Sequence, residues 1–240
     1  MTIELDVYGF PKTSGIFETI KTLNGAPIAL AQHMRRALNS ALALGLPMPA
    51  EEELRKHIID ILRERPLEIG RLRLCIYAEG FHLAHDPYTE LERPLRFTFH
   101  PETVVGEPHK IFPYNYRFEI LQSAQNQGYD DCILFNSANE VTESAVANIL
   151  FLIDGTWVTP PIGAGVLPGV IRAIAIEHCS VKVRPIHVSE IAQVRSAFSL
   201  ASLRIAQPIS FIGEMKLEIG EASRLMEAQI RSHAQPLSVG

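Results

Sequence analysis

Within its first 66 residues the chain changes hydrophobic period once, from strand to helix, and then repeats the helical stripe, and this limits the layers it can build. Ile16 to Leu23 alternates as a strand does, Asn24-Gly25 is a hairpin turn signal, and Ala26 to Leu30 reads as the returning strand. From Ala31 to Leu44 the period becomes helical: Met34, Leu38, Ala41 and Leu42 share a face, and Gly45 with Pro47 ends the run. Leu54, Ile58, Ile61 and Leu62 give a second stripe, closed by Pro66. A hairpin followed by two amphipathic helices buries its apolar surfaces by packing those helices on one sheet face, an α+β layer.

Leu72 to Ala78 and Leu95 to His100 read as further strands of this layer, separated by a polar loop from Glu79 to Arg93. After Pro101 to Pro108 the pattern changes. A helix is expected around Asn115 to Gln127, with strands at Asp131 to Asn136, Ala147 to Ile153, Val181 to Ile186, Ala197 to Ala201 and Pro208 to Ile212, and a last helix around Glu221 to Arg231. The expected organisation is a small α+β domain over residues 1–107 and a larger, β-rich domain over 108–240. A chain of 240 residues, 47% hydrophobic, has the core for both.

A net charge of −5 and a pI near 6.0 give no basic stripe and no acidic tail, so nucleic acid and membrane surfaces are not expected partners, and small molecules are. Cys75, Cys132 and Cys179 are far apart and odd in number, which suits buried thiols of a reducing compartment rather than a zinc site. The start Met1-Thr2-Ile3-Glu4-Leu5-Asp6 has no basic or apolar leader pattern, and the expected compartment is the cytoplasm.

The chemistry is carried by an ordered set of segments. Lys110 stands in His109-Lys110-Ile111-Phe112-Pro113, where apolar neighbours desolvate its amine toward nucleophilic use. Glu143 follows 33 residues later in Glu140-Val141-Thr142-Glu143-Ser144-Ala145-Val146-Ala147-Asn148, and Gly165-Val166-Leu167-Pro168-Gly169 comes next, with Gly169-Val170-Ile171-Arg172 opening a helix. His33-Met34-Arg35-Arg36 lies upstream, and Leu200-Ala201-Ser202 through Pro208-Ile209 downstream. Taken singly, a loop lysine or a turn glutamate is ordinary surface; the order and spacing are not.

From Gly15 to Pro208 this set resembles the fold-type IV pyridoxal-phosphate enzymes, the class IV aminotransferases and their lyase relatives. The resemblance implies a two-domain α+β fold with a barrel-like second domain, the cofactor in the cleft between the domains, and a homodimer. It implies Lys110 as the residue that carries pyridoxal phosphate and Glu143 as the carboxylate facing the pyridine nitrogen, with Thr142 and Asn148 in support. It further implies Leu167 against one face of the ring, and Arg36, the amides of Val170 and Ile171, and Ser202 around the phosphate. Three departures from the family pattern stand out: Phe112, Pro113 and Tyr114 after the lysine, Ile171 where a threonine is common, and Ala201 where a polar residue is usual.

Within the family, the short chain, the run Trp157-Val158-Thr159-Pro160-Pro161 leading into Gly165, and Phe17 at a position where D-amino-acid aminotransferases have tyrosine lean toward 4-amino-4-deoxychorismate lyase, an enzyme of folate synthesis acting on a small amino substrate. A branched-chain aminotransferase is the alternative, ahead of a D-amino-acid aminotransferase, and a non-catalytic cofactor-binding protein is a minor one. His82 and His85 are further candidate substrate contacts.

Overall fold

The computed structural model describes residues 3–236. In chain order the elements are β1 (Gly15–Leu23), β2 (Ala26–Pro27), α1 (Leu30–Leu44), α2 (Glu51–Glu64), β3 (Ile69–Tyr77), β4 (Gly80–Pro87), β5 (Leu95–Thr103), β6 (Ile111–Phe112), α3 (Asn115–Asn126), β7 (Asp131–Phe135), β8 (Val141–Ser144) and β9 (Asn148–Ile153). They continue with β10 (Thr156–Thr159), α4 (Val170–His178), β11 (Lys182–Val183), β12 (Ser196–Ala201), β13 (Ile205–Ile212), β14 (Met215–Lys216) and α5 (Glu221–His233). Among the described residues the chain divides into two units: residues 3–90 with 109–114 and 235–236, and residues 91–108 with 115–234.

The first unit holds a sheet ordered β2-β1-β3-β4, with β6 paired to the start of β1. Its strands run antiparallel, and the β1–β3 register sets Ile16 opposite Ile76 and Ile20 opposite Leu72. These residues, with Leu74, form an apolar face that packs against Leu30, Met34, Ala37 and Ala41 of α1 and Leu54, Ile58 and Leu62 of α2. The helix stripes differ in one respect from the sequence reading. Leu38 and Leu42 are exposed, because the buried face of α1 is turned to include His33, Ala37 and Ser40. The expected polar loop after β3 contains β4, whose Phe81 and Leu83 pack on the same core while polar residues alternate with them.

The second unit is built on a mixed nine-stranded sheet, β11-β10-β9-β12-β13-β5-β7-β8, with β14 on β13. β9 is buried along its whole length, as befits a central strand covered on both faces. One sheet face gathers Leu95, Phe97, Ile133, Phe151, Ile153, Ala197 and Ile209; on the other, Cys132 and Leu134 of β7 meet Ile120 and Ala124 of α3. The strand Leu95–Thr103 belongs here, parallel to both β13 and β7, and not to the first layer where sequence had put it. Apolar alternation marks a strand but does not name its neighbours. The strand expected over Val181 to Ile186 shrinks to Lys182–Val183, and β8 and β10, too short to show a period, were not anticipated. All three cysteines are buried and free.

The first core makes a direct prediction. Ile58 is fully buried between α2 and the sheet, so Ile58→Ala should lower the stability measured by chemical denaturation by about 2–5 kcal/mol.

Candidate active site

In the first unit the site begins with a charge in an apolar layer. Glu18 alternates with Ile16 and Ile20 along β1 and faces α1, where it is almost fully buried. α1 answers with two side chains three residues apart on one face. His33 Nδ1 lies 2.6 Å from Glu18 Oε2, and Arg36 donates from Nε to Oε1 at 2.7 Å and from Nη2 to Oε2 at 2.6 Å. Burial alone would raise the Glu18 carboxyl, but Arg36 and His33 hold it down to about 2. Burial also keeps His33 below its usual value, against the pull of Glu18. The imidazole is therefore neutral, with its proton on Nδ1, and the charge that balances Glu18 is that of Arg36.

Lys110 precedes β6, and its carbonyl accepts from the Phe17 amide at 2.8 Å. Its Nζ lies 4.5 Å from the Phe17 ring centroid and 4.8 Å from that of Tyr114. Phe17 also meets Phe10 and Tyr114 edge-on, and Phe10 stacks on Phe112. The residues that depart from the family pattern after the lysine thus supply part of the aromatic bed under its amine. Gly15 makes the close approach possible: a Cβ there would run into the Ile76 carbonyl and the Phe112 ring. Of the two candidate histidines, His85 is buried and bonded to Thr22 Oγ1 and the Arg65 carbonyl, a satisfied core residue, while His82 lies across from Cys75 with its Nε2 buried.

In the second unit Glu143 ends β8 as a buried carboxylate with donors from three elements. Arg117 of α3 donates from Nη2 to Oε1 at 2.7 Å; Asn148 Nδ2, at the start of β9, and the Leu167 amide reach Oε2 at 3.1 and 3.0 Å. Asn148 Nδ2 also donates to the Leu167 carbonyl at 3.0 Å, so one amide ties strand, carboxylate and loop together. The turn that follows is held by Asp131, which accepts from Ser144 Oγ at 2.8 Å and from the Ala145 amide at 3.0 Å. Burial raises the Asp131 carboxyl against these donors. Thr142 Oγ1 pins β8 to the Leu134 carbonyl at 3.3 Å.

Asn148 also presses on Gly169, where a Cβ would collide with its Oδ1. Gly169 is the N-cap of α4, and the first amide of the helical ladder is that of Ala173, bonded to the Gly169 carbonyl at 2.9 Å. The amides of Val170 and Ile171 precede the ladder, so the helix start directs N–H groups and the positive end of its dipole outward, a cradle for an anion such as a phosphate. Arg172 is buried beside them and donates to the Pro160 carbonyl at 2.7 Å. Ser202 lies in the turn between β12 and β13, at the sheet end where Leu200 pairs with Asn148. That turn closes on Ile205 with φ 60°, a left-handed conformation that is strained for a β-branched residue.

The structure therefore joins Glu143, Asn148 and Leu167 in one hydrogen-bond network next to Val170 and Ile171, in the second unit. Lys110 and Arg36 belong to the first unit, where both act electrostatically on His33. Arg117, Asp131 and Tyr114 escaped the sequence reading. Arg117 had left a signal: with Ile120 and Ala124 it occupies the buried face of α3, and an arginine in an apolar stripe needs an acidic partner.

Residues 15–212 match the aminotransferase class IV family, and the chain belongs to it; the cofactor of that family is pyridoxal phosphate. A Schizosaccharomyces pombe protein provisionally named aminodeoxychorismate lyase is 26% identical over 70% of this chain and 75% of its own length. A Rickettsia felis protein provisionally named branched-chain-amino-acid aminotransferase is 27% identical over 69% of this chain and 64% of its own length, less than two thirds of that relative. Among solved structures, a Legionella pneumophila protein provisionally named 4-amino-4-deoxychorismate lyase shares the fold with a TM-score of 0.85 at 22% identity, over 92% of this chain and 91% of that one.

Two predictions come from this geometry. The Glu18 carboxyl lies below its unfolded value of 4.5, so its stabilisation is complete above that pH and is lost as pH falls toward about 2. In acid denaturation Glu18→Gln should flatten this loss, on the order of 3 kcal/mol. Gly169→Ala should displace Asn148 or the start of α4 and weaken pyridoxal phosphate binding by about tenfold or more in a fluorescence titration, equivalent to about 1.4 kcal/mol.

Proposed function

We propose that the protein is a pyridoxal-phosphate-dependent lyase that converts 4-amino-4-deoxychorismate to pyruvate and 4-aminobenzoate. The observation that carries this reading is the pair of rings beside the Lys110 amine, Phe17 and Tyr114, with Phe17 backed by the buried Phe10, which suits a flat six-membered carbocycle better than a branched aliphatic side chain. Phe17 supports it by offering a ring face without a hydroxyl, and the S. pombe relative points the same way.

In this reading Lys110 carries the cofactor, and Arg36, the amides of Val170 and Ile171, and Ser202 hold its phosphate. The Arg36 fork is already aimed by Glu18, so little side-chain freedom is lost on meeting an anion. The α4 amides add backbone donors where the family's threonine hydroxyl is missing at Ile171. Leu167 would cover one face of the cofactor ring, and Glu143, kept in place by Asn148, would partner its ring nitrogen. When bound, pyridoxal phosphate supplies a sink for the electron pair left on the substrate carbon as its proton departs.

The Lys110 amine would take the proton from the ring carbon that bears the amino group. As an ammonium it returns a proton to the departing enolpyruvyl group, which leaves as pyruvate. The carbocycle becomes aromatic and leaves as 4-aminobenzoate. The rings of Phe17 and Tyr114 lie 4.5 and 4.8 Å from the Lys110 amine and would steady its ammonium form between the two proton transfers. The product makes the protein part of folate synthesis. We also propose a cytoplasmic homodimer. The exposed apolar residues Leu38, Leu42 and Leu44 on α1 support a protein partner, and no helix among the described residues is long and apolar enough to cross a membrane.

The cofactor-loaded protein given 4-amino-4-deoxychorismate should release pyruvate and 4-aminobenzoate in equal amounts, and Lys110→Ala should lower the rate by about 10²–10⁴-fold. Absence of both products, with conversion of the cofactor to its amine form by leucine or valine, would replace this reading with a branched-chain aminotransferase, as the R. felis relative suggests.

A further inference from the structure

We propose that Arg117 is a positioning residue whose charge keeps Glu143 ionised, so that the proton shared between Glu143 and a cofactor ring nitrogen stays on the ring. The proposal rests on the role given to Glu143 above. It concerns a residue of α3 that none of the segments carrying the family resemblance contains.

Glu143 and Arg117 have side-chain exposures of 6% and 8%, so their ion pair is nearly dry. Two other donors serve the carboxylate, the Asn148 amide and the Leu167 N–H, and both are neutral. Arg172 on α4 acts on Glu143 at longer range, but its hydrogen bond goes to the Pro160 carbonyl. His100 on β5 lies within electrostatic reach of Arg117, and burial holds its imidazole below the usual value and so neutral at pH 7. Arg117 is thus a cation in direct contact with the carboxylate, through a 2.7 Å hydrogen bond.

Neutral donors orient a buried carboxylate and offset part of the cost of its charge; a guanidinium adds an opposite full charge to the same hydrogen bonding. Placed opposite a pyridine nitrogen, Glu143 shares one proton with it. Arg117 touches the carboxylate directly, and Coulomb energy falls with distance, so its charge would lower the proton affinity of Glu143 more than that of a nitrogen held beyond it. The proton then resides on the nitrogen and the ring keeps its full pull on electrons. Without the guanidinium charge the carboxylate becomes the stronger base, the proton crosses to it, and the ring is left neutral while every hydrogen-bonding atom stays in place.

The test follows the proton. In the apoprotein at neutral pH, infrared difference spectra assigned with Glu143→Gln should show a carboxylate band for Glu143. Arg117→Met should lose that band and gain a protonated carboxyl band. Arg117→Gln, which keeps an N–H donor and drops the charge, should behave like the methionine variant, and Arg117→Lys should restore the carboxylate. In the holoprotein, the nitrogen NMR shift of ¹⁵N-labelled pyridoxal phosphate should move from the pyridinium to the neutral position in the methionine and glutamine variants and return in the lysine variant. If the methionine variant does not fold, the glutamine and lysine variants decide the matter. A wild-type carboxylate band and nitrogen shift in Arg117→Gln would overturn the proposal. The apoprotein band does not depend on which substrate is used, so a failed product assay beside an intact band shift would reject the lyase and leave this role standing.

Discussion

A carboxylate buried in a protein interior is tolerated only with a partner that replaces the water it has lost. This chain meets that condition twice with the same arrangement: a glutamate on a strand, held by an arginine on a helix. Glu18 of β1 takes both forks of Arg36 from α1, and Glu143 of β8 takes Arg117 from α3. In each unit the pair fixes how a helix is turned against a sheet. The buried stripe of α1 includes His33 at the expense of Leu38 and Leu42, and α3 buries an arginine between its apolar contacts.

The second pair organises the larger share of the candidate site residues. With Glu143 anchored, Asn148 holds the loop at Leu167, and the same side chain sets how close Gly169 and the start of α4 come. A strand end, a loop and a helix N-terminus are thereby joined through few hydrogen bonds. Asp131 and Ser144 hold the turn between β8 and β9 from behind, so the position of Glu143 is determined on both sides. Preorganisation of this kind lets a site meet a developing charge without rearranging when the charge appears.

Much of this was legible in the sequence where a residue type and its spacing carry physical meaning. The hairpin at Asn24-Gly25, the helix α2 and the helix opening at Gly169-Val170 are all present where local pattern placed them. Local pattern did not reveal partners. Leu95–Thr103 has the alternation of a strand, but its neighbours β7 and β13 lie 28 or more residues away in sequence, and only the assembled sheet shows which layer it joins. Short strands such as β8 and β10 carry too few residues to show a period. In the candidate site the individual residues were visible and their supports were not. Arg117 had no motif, only its place in the buried face of α3, and Tyr114 looked like a departure from the family when its ring is part of the surface beneath the Lys110 amine.

The account depends most on Lys110 being the residue that carries pyridoxal phosphate, among six lysines in the chain. Borohydride reduction of the cofactor-loaded protein, followed by peptide mapping, tests this directly. The reduced phosphopyridoxyl group should be found on the peptide that contains Lys110, in a ratio of one per chain, and should disappear from the map in Lys110→Ala. A label on Lys12, Lys21, Lys56, Lys182 or Lys216 instead, or a protein that binds the cofactor and takes no label at all, would contradict the account.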